Sequence, residues 1–285
     1  MAAKKKSAKA PKRPAKKKAA RKAAAPAKQL HICFDRVRPS PIRDYKVAHF
    51  IKTAKENKEA LADLPNLDAS HPIVRAYMAV IDHNKWPDGH ELTCKFLDGK
   101  QAWKDKVMAK AKLWEQYANV KLKFVTSGDA QVRISFQADP GSWSAVGTDC
   151  LDANSFPKNG PTMNFGWLRD DTDDQEYERV VVHEFGHALG CIHEHQSPNE
   201  KLNWNVKEVY RVFSGPPNNW SKTEIDHNIL QKYGAKGISA TVFDPASIML
   251  YQFDADLFTD HKATPLNYQL SDLDKSMIKT MYPLA

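Results

Sequence analysis

Three short stretches alternate apolar and polar residues. In HELTCKFLDG, Leu92, Cys94 and Phe96 alternate with polar neighbours, and VKLKFV (120–125) does the same. In VRISF (132–136), Val132, Ile134 and Phe136 fall on one side. This two-residue period predicts half-buried strands. Between the first two, QAWKDKVMAKAKLWEQY spaces Trp103, Val107, Ala111, Trp114 and Ala118 at helical intervals, which predicts an amphipathic helix over 101–117. Its aromatic stripe reads as a core-facing surface. IVRAYMAVI (73–81) reads as a short helix, and WPDG (86–89) as a turn. GSWSAVGTDCL, with its small residues, reads as a loop. PTMNFGWL reads as a further short strand before the acidic run DDTDDQE. The order of strand, helix, strands and helix predicts an α+β domain: a mixed sheet with a backing helix.

Charge divides the chain. The net charge is +8, yet residues 1–28 hold ten Lys and two Arg without one acid, so the remainder carries −4. This Lys/Ala/Pro-rich segment has no aromatic residue and cannot build a core, so residues 1–29 are expected to be a disordered tail. One reading is a solvated arm. The other is salt-sensitive attraction to a polyanion: nucleic acid, acidic polysaccharide or an anionic membrane surface. The basic run is not followed by an apolar one, so it does not read as a secretory signal. The chain has no eighteen-residue apolar stretch, so no transmembrane helix is expected. Cys33, Cys94, Cys150 and Cys191 are widely spaced and lack the paired spacing of a zinc finger.

The densest chemistry is HEFGHALGCIHEH (183–195). Acids precede it, as the positive end of a helix dipole favours. On a helix, His183 and His187 stand one turn apart on one face and can converge on one ion. Glu184, beside the first ligand, can reach a water on that ion and take its proton without coordinating the metal. Gly190 can take the left-handed conformation that ends the helix, and His193 returns as third ligand. Three neutral imidazoles leave a position open for water, as a hydrolytic Zn2+ requires. A bare HExxH is a weak signal; HExxHxxGxxH is a strong one. The competing readings are a histidine-rich helix without metal and a closed structural zinc site. Cys191 reads as a packed thiol rather than a ligand.

Further on stands DPASIMLY (244–251), which resembles the methionine turn of the metzincin zinc peptidases, in the SxMxY form of the astacin family. LSDLDKSMIKTMYP resembles that family's C-terminal helix, and the helix with Trp103 and Trp114, VRISF and SAVG resemble its N-terminal half. The resemblance runs over roughly residues 86–285. It implies a twisted mixed sheet with backing and active-site helices above an irregular lower subdomain. It puts Met249 beneath the zinc and Tyr251 at the metal, as displaceable ligand and transition-state donor. It assigns Glu194 to contact with a mature N-terminus. It implies a cleft-rimming edge strand at Arg133, Ile134, Ser135 and Phe136 that pairs with substrate backbone by β-augmentation. The catalytic domain is then 83–285, with an upper half to about 192 and a lower half from 193. Residues 30–82 are an N-terminal extension or a prosegment.

The sequence departs from the animal astacins. Ser197 and Asn199 stand where Arg and Asp would follow the third ligand, Leu250 replaces a frequent His, and the terminal-helix cysteine is missing. This points to a divergent, microbial branch. His195 is expected at the rim of the cleft. In HICFDR, Cys33 or Asp35 is placed to block zinc in a latent form. The reading is a zinc-dependent endopeptidase acting on peptide or protein substrates as a monomer. Export is expected from the family. A second reading is a zinc-containing binding protein, with little or no catalysis, held to a polyanion by its tail. A third is a metallohydrolase of non-peptide amides.

Overall fold

The computed structural model describes residues 34–36, 84–138, 141–197, 199–216, 218–232 and 242–284. The basic tail, most of the 30–82 segment with Cys33, and the helix expected at 73–81 lie outside the described residues. Among those described, six strands form one sheet: β1 (Phe34–Arg36), β2 (His90–Phe96), β3 (Val120–Phe124), β4 (Val132–Ser135), β5 (Trp143–Ala145) and β6 (Met163–Asn164). Their order is β1-β5-β6-β4-β2-β3. Every pairing is parallel except β5 with β6. The three alternating stretches are β2, β3 and β4, and the further short strand expected in PTMNFGWL is β6. The stretch expected to be a loop at 141–151 instead supplies β5 and a 3-10 turn, Gly147–Leu151.

The helix predicted over 101–117 is α1 (Gln101–Ala111), which tightens into a 3-10 turn at Lys112–Gln116. Gly99 starts it at φ 93°, where a Cβ would lie 2.4 Å from the Phe136 ring, so only glycine fits this turn. Val107, Ala111, Trp114 and Ala118 are buried as the spacing required. Trp114 reaches the second long helix, α2 (Asp174–Ala188), and donates its indole N–H to Val182 O at 2.9 Å. Lys110 adds ion pairs to Asp174 and Glu178 at 2.6 and 2.8 Å.

Asp173 caps α2 by accepting Glu176 N–H at 2.8 Å, with Asp174 and Glu176 in the first turn. Its far end is closed by tertiary contacts. Trp86 Nε1 donates to Ala188 O at 2.8 Å, and the Tyr282 hydroxyl to Leu189 O at 2.7 Å. From Tyr177 onward most of α2 is buried, because the sheet and α1 cover one side and the following segments the other. Those segments are irregular: α3 (Val206–Phe213), α4 (Lys222–Ile225), a π turn (Asp226–Leu230), loops, and the terminal α5 (Asp272–Met281).

One expectation is corrected by the topology. Arg133 to Phe136 do not form an edge strand: β4 lies between β2 and β6, and Phe136 follows it. All four β4 residues are buried. Arg133 is satisfied internally, its guanidinium donating to the carbonyls of Gly160, Phe156 and Pro157 at 2.6, 3.1 and 3.2 Å. The strand antiparallel to its neighbour is β5, and β1 lies along its outer side.

Candidate active site

The end of α2 brings the histidines together. Gly190 has φ 98°. Cys191 N–H bonds Gly186 O at 2.9 Å and Gly190 N–H bonds His187 O at 2.8 Å, the two bonds of a Schellman cap. The chain therefore doubles back. His193 arrives with its Nε2 3.0 Å from that of His187, and His183 Nε2 lies 3.2 Å from His187 Nε2 on the other side. All three rings are buried.

This arrangement fits a metal ion. His183 Nδ1 faces Ile248 O at 2.8 Å and His187 Nδ1 faces Cys191 O at 2.8 Å; His193 Nδ1 faces Gln196 Oε1 at 3.4 Å. Carbonyl oxygens only accept, so the Nδ1 atoms carry the protons and the three Nε2 lone pairs point at one another. A cation between them would relieve that crowding. Zinc–nitrogen distances of about 2.0–2.1 Å at tetrahedral angles put the nitrogens about 3.3 Å apart, close to what is observed. Burial and the neighbouring imidazoles hold the His183 and His193 pKa values well below the ordinary histidine range. The rings therefore stay in the neutral, ligating form. His183, His187 and His193 are suited to bind one zinc ion.

Glu184 is fully buried on α2 beside His183. The Tyr251 hydroxyl contacts His193 Nε2, and its ring lies 4.2 Å from that of His193. Met249 is buried beneath the histidines: a Cβ on Gly186, between His183 and His187, would come within 2.6 Å of its sulfur. Glu194 fastens the methionine turn by two bonds. Its N–H donates to Met249 O at 3.0 Å, and its carboxylate accepts Asp244 N–H at 2.8 Å. Burial pushes the Glu194 pKa up to about 7. Asp35 lies in β1, opposite Ser144 of β5.

His195 is not at a rim. It is buried, with Nε2 3.1 Å from Asn228 O and its ring against Tyr251 and Phe253. Burial lowers its pKa to about 4. Cys94, Cys150 and Cys191 are buried free thiols, and burial raises the pKa of each. Sequence reasoning missed Gln196. Its amide donates to His227 O and Gln231 O at 2.7 and 3.1 Å while its carbonyl faces His193. A glutamine three residues after a ligand was the available signal.

A buried three-histidine cluster at the glycine-terminated end of a helix, floored by a methionine turn, defines a metzincin-type zinc peptidase. The chain belongs to the astacin peptidase family, whose model matches residues 80–283. Two solved structures of myroilysin are similar to it. One shares 40% identity over 72% of this chain and 98% of that chain, with a TM-score of 0.69. The other shares 41% identity over 70% and 86%, with a TM-score of 0.57. No curated protein matches the chain. The protein is a zinc metalloendopeptidase, with peptides or proteins as substrates.

Proposed function

We propose that His183, His187 and His193 hold the zinc, that Glu184 is the general base and that Tyr251 assists. The observation that carries this is the convergence of three buried Nε2 atoms whose Nδ1 partners are all acceptors. When bound, zinc polarises a carbonyl and acidifies water. Glu184 takes the proton of the attacking water on its carboxylate and delivers it to the leaving amine. The Tyr251 phenol donates to the oxyanion that develops. Met249 keeps water from beneath the site. The test is digestion of an unfolded protein by wild type and Glu184→Ala, each assayed for bound zinc. Equal cleavage by both overturns the role of Glu184.

A substrate backbone is proposed to pair with the outer side of β5, where backbone bonds hold an extended peptide. The antiparallel direction of β5 and the pairing of Phe34–Arg36 along it support this. A latent form in which residues 30–82 act as a prosegment and Cys33 or Asp35 reaches the zinc is proposed as well, with the lie of residues 34–36 along β5 as its support for the prosegment alone. A chain lacking residues 1–40 is then expected to cleave peptides about tenfold faster or more, because the competent fraction rises. Equal rates for the two chains remove the blocking role.

Residues 1–28 are proposed as a polyanion anchor, on the strength of twelve positive charges without an acid. The full chain is expected to bind DNA or heparin with an affinity that falls steeply with salt. Deleting residues 1–28 should abolish that binding, and equal binding by the shortened chain disproves the anchor. The structure offers no particular support for a non-catalytic zinc protein, which has no need of a base at position 184.

A further inference from the structure

The methionine turn is wired to the C-terminal helix. Asp274 is 5% exposed. Its Oδ1 accepts the Ser247 hydroxyl at 2.7 Å, and its Oδ2 accepts Ile248 N–H at 2.8 Å and Ser271 N–H at 2.9 Å. The Ser247 oxygen in turn accepts Met249 N–H at 3.0 Å. That N–H belongs to the peptide whose carbonyl, Ile248 O, faces His183 Nδ1 at 2.8 Å. A continuous path therefore runs from the carboxylate through the Ser247 hydroxyl and the 248–249 peptide to the imidazole.

Each link has one direction. A carboxylate accepts, so the Ser247 hydroxyl must donate to it and receive from Met249. That pulls electron density through the peptide onto Ile248 O, which strengthens its grip on the His183 proton. Chains of buried hydrogen bonds polarise one another in this way. A histidine held by a stronger acceptor is a more basic ligand through its other nitrogen, and outer-shell carboxylates fix ring orientation as well. Burial pushes the Asp274 pKa up, while its three donors pull against that shift by favouring the ionised form.

We propose that Asp274 is a positioning residue for the zinc site, acting on His183 through Ser247 and the 248–249 peptide. The inference rests on His183 being a zinc ligand. Asp274 also helps to start α5, since Ser271 and Asp274 form a reciprocal capping box. A purely structural role would run through that cap and through the direct Ile248 N–H bond, both of which Ser247→Ala leaves in place. The two roles separate because Ser271→Ala breaks the cap and the Ser271 hydroxyl's bond to Asp244 but leaves every link from Asp274 to His183, and Ser247→Ala breaks the path without touching the cap. Asp274→Asn keeps the shape. Its amide nitrogen would have to donate toward Ser247, which reverses the polarity of the first link.

The experiment uses the full chain and four proteins: wild type, Asp274→Asn, Ser247→Ala and Ser271→Ala. Zinc dissociation constants come from competition with a chelator, and thermal midpoints from the zinc-free forms. The His183 Nδ1–H proton is followed by NMR in the zinc-free state. Asp274→Asn and Ser247→Ala should each weaken zinc about tenfold, and Ser271→Ala by less than about twofold while lowering the midpoint. The His183 proton should move upfield in the first two and stay in the third. Unchanged zinc affinity in Ser247→Ala overturns the proposal, as does an equal loss in all three variants. Should Asp274→Asn fail to fold, Ser247→Ala decides. Wild type that takes up no zinc overturns the underlying reading of His183 instead.

Discussion

Glu184→Ala is expected to keep its zinc and to lose roughly 10²–10⁴-fold in kcat/KM, the range that general acid–base catalysis supplies. Zinc should stay because the clustered ligands are His183, His187 and His193, and Glu184 is not one of them. Activity should fall because the residue beside the first ligand is the carboxylate that the helix carries into the site. Its burial matters to the chemistry. Burial keeps bulk water away from the carboxylate, so the proton it takes stays in the site for the leaving amine. Glu184→Gln serves as the shape-preserving partner: it retains volume and hydrogen-bonding atoms but cannot accept the proton. Both variants should be inactive to a similar degree on an unfolded protein substrate. A Glu184→Gln protein as active as wild type would remove the general-base assignment. Loss of zinc from both variants would move Glu184 into the metal's own shell.

Much of this site was readable in the linear sequence because helical geometry is local. His183 and His187 must share a face, and Gly190 must end the helix, whatever surrounds them. The Schellman bonds at Gly190 and Cys191 are the physical form of that spacing. The strands at 90–96 and 120–124 were legible for a similar reason. β4 was legible as a strand but not as an interior one. Arg133 and Ser135 look like its wet face, yet both are buried. The carbonyls around Gly160 satisfy one, and Asn164 accepts the Ser135 hydroxyl at 2.6 Å. Alternation reports polarity, and polarity equals exposure only when no internal partner exists.

β5 was invisible for the opposite reason. Ser142, Ser144 and Gly141 carry no strand signal, and the segment is extended because β6 and β1 pair with it. The shortening of α1 at Lys112 is likewise tertiary, set where Trp114 turns into the core to reach Val182. His195 shows the same limit. Next to an exposed-looking Gln196, it reads as a rim residue until Trp204, Tyr251 and Phe253 close around it. The path from Asp274 to His183 joins residues 91 positions apart in the chain, so a local pattern could not carry it.

Removing zinc should destabilise the protein as well as silence it. A ligand that binds only the folded state stabilises it by about 4 kcal/mol when its free concentration is a thousandfold above its dissociation constant. For a domain of this size that is a fall of roughly 10 °C in thermal midpoint on adding excess chelator. The coupling has a specific origin here. Without a cation, the three Nε2 lone pairs at 3.0 and 3.2 Å repel one another. The loops that bring His193 and Tyr251 to α2 then lose one shared anchor and are left with the bonds of Glu194 to the methionine turn. His187→Ala separates this from nonspecific chelator effects. It removes the central ligand and the Nδ1 bond to Cys191 O, so its midpoint should match or fall below that of chelated wild type and should not respond to chelator. A His187→Ala protein that still loses stability with chelator would place the metal elsewhere. A wild type whose midpoint stays unchanged although the chelator has stripped its zinc would mean that the fold alone holds the histidines together. The cluster would then be preorganised by its Nδ1 partners rather than by the ion.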